Sequence, residues 1–73
     1  MRREICIRLG QRIRELRKKR GWRQIDLAEH AGIHKTHISG LERGEREIGL
    51  FYLESVAKAL DCAPSELLRS IGH

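Results

Sequence analysis

The segment QIDLAEHAGIHKTHISGLE, from Gln24 to Glu42, constrains the fold of this chain more than any other. Ile25, Leu27, Ala28 and Ala31 place apolar side chains at helical spacing. Gly32 then breaks the pattern with the residue that takes positive φ at little steric cost. Ile33 follows as an apolar plug, His34 stands where a new helix should start, and Ile38 and Leu41 supply the inner side of a second helix. Its outer side carries Lys35, Thr36, His37, Ser39 and Gly40, all polar or small. Two short helices around a glycine turn, the second with a donor-rich outer face, read as a helix-turn-helix. In that motif the second helix enters the DNA major groove and its first residues meet base edges.

The flanking sequence supplies three further helices. Ile5, Leu9, Ile13 and Leu16 form an amphipathic stripe over about Glu4–Arg20, ended by Gly21 with basic residues crowded into the last turn. After the loop Arg43-Gly44-Glu45-Arg46-Glu47, with Gly44 as its turn residue, a helix is expected over about Leu50–Leu60. Leu50, Leu53, Val56, Ala57 and Leu60 should face inward there. Pro64 suits the first position of a fifth helix reaching about Ser70, although Ala63 before it is a poor cap. The expected fold is therefore all-α, with five helices in a single domain over residues 1–73 and residues of about 50–70 forming its association face.

Composition narrows the class. The chain is 40% apolar and 34% charged, ordinary for a soluble helical protein. No run approaches the roughly eighteen apolar residues of a membrane span. Arg2 and Arg3 are followed by no apolar segment of a signal peptide. Cys6 and Cys62 are too few for a disulfide framework, so a reduced, cytoplasmic setting is expected. Charge is distributed unevenly: residues 1–36 hold eleven Lys and Arg against four Asp and Glu, whereas residues 37–73 hold four against six. Such polarity suits one face on a polyanion, although basic helices also meet membranes and RNA.

QIDLAEHAGIHKTHISGLERG resembles the helix-turn-helix of Cro/C1-repressor (XRE-type) regulators: Gln-x-x-Leu-Ala, then Gly and an apolar residue, then Ile-Ser-x-Leu-Glu-x-Gly. The likeness extends through LGQRIRELRKKRGW and LESVAKALDCAPSELL, covering roughly residues 9 to 68. Within that superfamily HKTHISGLERGERE is most similar to the controller proteins of restriction–modification systems. His37 stands where tyrosine is usual, and Glu47 where asparagine is common. The resemblance implies a compact, lambda-repressor-like domain that binds a double-stranded DNA operator as a homodimer and regulates its own transcription. A phage-type repressor or the antitoxin of a toxin–antitoxin module is the alternative. The resemblance also implies that Gln24 anchors a phosphate, and that Arg17 pairs with Glu42 to lock the reading helix.

Chemistry assigns the remaining candidates. Lys35 can donate to guanine, and Thr36 can donate, accept or set its methyl against thymine's. His37 and Ser39 are further base-reading candidates, each with a packing role as the competing reading. Gly40 cannot read a base, and many relatives carry a long side chain there. Arg23, His34, Arg43 and Arg46 join Gln24 as phosphate candidates, with Glu45 and Glu47 as competing partners for the two loop arginines. Trp22 reads as packing over the second helix. Phe51 and Tyr52 lie off the inward stripe and, with Leu68 and Ile71, form a candidate dimer face. His30, His34 and His37 are interrupted by Gly32, so no metal is expected. Neither a nucleophile–base pair nor a phosphate-cradling glycine loop is present; no cofactor, small-molecule effector or enzymatic activity is expected.

Overall fold

The computed structural model describes residues 2–69, with side chains from residue 4 onward. The helices are α1 (Arg2–Lys19), α2 (Gln24–Ala31), α3 (Lys35–Glu42), α4 (Leu50–Ala59) and α5 (Pro64–Leu68). α2 and α3 have the limits expected from sequence. α1 begins earlier and stops one residue sooner, and Leu60 caps α4 rather than extending it. α3 packs on α1 and α2, while α4 packs on α2 and α5. No described helix is long and apolar enough to cross a membrane.

Helices this short have little intrinsic stability; they persist because each buries a face. Leu9 and Ile13 of α1, Leu27 and Ala28 of α2, and Ile38 and Leu41 of α3 meet in one core. Leu53, Val56, Ala57 and Leu60 close it from α4, Ile33 from the turn and Leu67 from α5. Two expected core residues lie outside. Leu50 is 85% exposed, because it opens α4 and no element covers that first turn. Ile5 is 47% exposed, because the core begins at Leu9 one turn later. Tyr52 departs in the other direction: it is half-buried against the core rather than standing outside it. Ser70 and Ile71 fall outside the described residues.

One closure recurs at four helix ends. After α2, the Ile33 N–H donates to Ala28 O at 3.0 Å and Gly32, at φ 69°, occupies the left-handed position. After α3, the Glu45 N–H donates to Gly40 O at 3.0 Å around Gly44 at φ 73°. Gly21 closes α1 in the same way, and Asp61, at φ 57°, closes α4. This paired hydrogen-bond pattern satisfies carbonyls that a helix end leaves open and turns the chain sharply. α2 starts with a reciprocal device: Asp26 accepts from the Arg23 backbone N–H at 2.7 Å. Its hydrogen bonds from Arg23 hold the Asp26 carboxyl below its ordinary value.

Gly10 sets the distance between α1 and α3. A Cβ there would lie 2.7 Å from the Glu42 carbonyl oxygen and would also strike Leu41 O. The backbones of the two helices therefore touch with no side chain between them. Gly10→Ala should lower unfolding free energy by about 1–3 kcal/mol or more, the range for forcing extra volume into packed structure. Urea unfolding measures it; an alanine variant as stable as wild type would show that α1 can retreat at no penalty.

Candidate nucleic-acid interface

His34 precedes α3 with extended backbone, and its Nδ1 accepts the Thr36 N–H at 3.2 Å. That hydrogen bond leaves the proton of the neutral ring on Nε2, away from the cap. Lys35 and Thr36 are exposed on the first turn of α3. The free amides and helix dipole of that turn favour anionic groups nearby. Ser39 is half-buried and its hydroxyl accepts from Arg43 Nη1. Arg43 also donates to Glu45 at 3.0 Å, which stabilises its charged form. His37 is turned toward α4, where its ring lies against Tyr52.

The base of α3 is held by a buried polar network. Arg17 Nε donates to Glu42 Oε2 at 2.7 Å and Nη2 to Oε1 at 2.9 Å, a two-pronged pair. Arg17 Nη1 donates to the Trp22 carbonyl at 2.7 Å. Gln24 Nε2 donates to Glu42 Oε1 at 3.1 Å. Both charged residues are only 8% exposed. α1, α2 and α3 therefore meet at one carboxylate, and the same guanidinium ties in the α1–α2 turn. Trp22 stacks on His30 of α2 at 4.2 Å, with the Arg20 guanidinium 4.6 Å from the indole centroid.

The other basic candidates surround α3 unequally. Arg23 is exposed but its guanidinium meets Asp26 at 3.3 Å. Gln24 sits at the start of α2 with one hydrogen of its side-chain amide committed to Glu42, so its backbone N–H and the second amide hydrogen are the donors suited to a phosphate. Arg46 folds back along α3: a Cβ on Gly40 would lie 2.8 Å from Arg46 Nε and 2.9 Å from its Cδ. Gly40 is thus overlaid by a loop arginine. Sequence reasoning missed this contact, the His37–Tyr52 pair and the link from Gln24 to Glu42. Gly10 did leave a signal, as a glycine inside an otherwise helical pattern.

Residues 13–67 match the helix-turn-helix family HTH_3. The chain belongs to this XRE-type family of DNA-binding transcription regulators. It is 38% identical over 65 residues to control protein C.BamHI of Bacillus amyloliquefaciens, covering 88% of this chain and 80% of that one. The crystal structure of the restriction–modification controller protein C.AhdI from Aeromonas hydrophila superposes with a TM-score of 0.83 at 40% identity, covering 85% of this chain and 94% of that chain. SinR of Bacillus subtilis is 38% identical over 61 residues, which are 82% of this chain but 55% of that regulator. Its structure in complex with DNA has a TM-score of 0.79 at 38% identity, covering 82% of this chain and 97% of that one. The expected five-helix, all-α repressor fold and the likeness to controller proteins are both established.

Loss of either charge in the buried pair strands its partner. Arg17→Ala or Glu42→Ala should each lower stability by about 3–5 kcal/mol. Gln24→Ala should have a smaller effect, since Glu42 keeps both arginine contacts. The double replacement Arg17→Met with Glu42→Leu should recover much of the loss, because no unpaired charge remains. Denaturant melts of the four variants check the order.

Proposed function

We propose that the chain is a homodimeric, sequence-specific regulator that reads bases with the first turn of α3 and controls the timing of a restriction–modification system through its own promoter. The observation that carries this reading is the exposed Lys35–Thr36 turn on a helix fixed from beneath by a buried carboxylate network. Lys35 and Thr36 are the readers; Ser39 contributes less because Arg43 holds it, and His37 is committed to packing on Tyr52. Gln24, His34 through its Nε2, and Arg23, Arg43 and Arg46 take phosphates on either side. The likeness to C.BamHI and C.AhdI supports the restriction–modification role.

Size and surface support the dimeric reading. The domain is 30 Å in its longest dimension and carries one reading helix. Two half-sites one turn apart are separated by about 34 Å, so two copies are needed to read both. Phe51 of α4 is 74% exposed and Leu68 of α5 42% exposed, and Leu68 lines one groove with the exposed Leu50. Pairing through this side places the mildly acidic half centrally and leaves the basic half for DNA. Tyr52 is instead half-buried against the core and His37.

Lys35→Ala and Thr36→Ala should relax discrimination, each base contact being worth about 1–3 kcal/mol between right and wrong sequence. Gln24→Ala and Arg43→Ala should weaken operator and scrambled duplexes alike, and Arg43→Ala should reduce the salt slope by about one. Titrations of the four variants across salt on DNA from upstream of the gene decide this. Equal losses on both duplexes for Lys35→Ala and Thr36→Ala would overturn the base-reading assignment.

Replacing Phe51 and Leu68 together with glutamate should give a folded monomer with weak operator binding. Sedimentation with circular dichroism checks it, and a variant that stays dimeric would refute this interface.

A further inference from the structure

α3 meets α1 and α2 through the core and the Arg17–Glu42 network; it shares that core with α4 and is joined to it by a second, ring-to-ring contact. The His37 ring lies against Tyr52 with centroids 4.5 Å apart and planes tilted by 55°. Tyr52 in turn meets Phe51 edge-on at 5.8 Å. Three rings therefore run in contact from the outer face of α4 to the reading helix. His37 Nε2 is the buried side-chain polar atom that, among the described residues, has no hydrogen-bond partner. Buried polar atoms are normally paired. Here the imidazole serves as a packing surface, held through its ring.

We propose that Tyr52 is a positioning residue for DNA recognition: through His37 it fixes the rotation of α3 against α4, and so sets the spacing between the two reading helices of a dimer. This inference rests on the dimeric DNA-binding reading above. His37 directly follows Lys35 and Thr36, so a shift of its ring moves the turn that carries them. α4 bears Phe51 of the proposed twofold interface, so a change in the α3–α4 angle occurs in both copies and accumulates between half-sites. A tilted pair of rings suits this task, because aromatic contacts have preferred geometries and their side chains have few rotatable bonds. The contact involves the Tyr52 ring, which phenylalanine would retain.

The test separates positioning from base contact and from dimer formation. Wild-type protein first selects a duplex from a random-sequence pool, and that duplex is remade with its half-sites moved one base pair closer or farther apart. Tyr52→Phe should match wild type on all three spacings. Tyr52→Ala should lose about tenfold on the selected duplex, the upper range for an aromatic pair, and prefer it over the shifted ones by only about twofold. Its helix content, its sedimentation as a dimer and its affinity for scrambled DNA should remain those of wild type. His37→Leu should likewise flatten the spacing preference, whereas loss of a base contact alone would weaken all three spacings equally. The proposal is overturned if Tyr52→Ala keeps the wild-type spacing preference, if it becomes monomeric, or if Tyr52→Phe is equally impaired. Should Tyr52→Ala fail to fold, an unchanged preference in His37→Leu overturns it instead. A wild type that selects no paired half-sites overturns the dimeric reading itself, and this inference with it.

Discussion

The placement of α3 depends on one carboxylate. Glu42 ends α3 inside the protein, where an ionised group without partners would be untenable. Arg17 covers both oxygens, and Gln24 adds a third donor. The remaining arginine nitrogen takes the Trp22 carbonyl, so the guanidinium also ties down the turn before α2. Geometry this complete offsets desolvation and gives α3 one preferred orientation. A hydrophobic pair could match its stability without fixing rotation so narrowly, since apolar contacts have little directional preference.

Close packing completes what the ion pair begins. Gly10 brings the backbone of α1 against the last turn of α3, and Gly44 brings the following turn within reach of Ile7. A Cβ on Gly44 would lie 2.7 Å from the Ile7 Cα, a contact no side chain could relieve by rotating. The two glycines hold the end of α3 from opposite sides of the same junction. Its beginning is held more lightly, by the His34 cap, which leaves Lys35 and Thr36 on the surface.

Much of this was legible in the sequence because local chemistry specified it. Gly21, Gly32 and Gly44 each marked a helix end and each adopted positive φ. The inward residues of α2 and α3 followed from periodicity, and the Arg17–Glu42 pair from its two motif positions. Leu50 misled because periodicity records which side of a helix a residue occupies, not whether anything covers that side. Tyr52 misled for the complementary reason: it lies beside the stripe, yet His37 of another helix covers it. Arg46 over Gly40 depends on the path of a loop, which no spacing rule encodes.

The five-residue length of α5 has a further consequence. Its buried anchor is Leu67, and it is joined to α4 through Asp61, a non-glycine residue in the left-handed region. It rests on α4 and α1 with that one buried side chain, so local opening of α5 uncovers little core. Leu68 at its end forms one wall of a shallow apolar groove whose other walls include Ile5, Ile48 and Leu50. A molecule seated in that groove would clamp α5 to the body of the domain. Association at this face would therefore register as slowed amide exchange in the last helix, remote from any DNA contact.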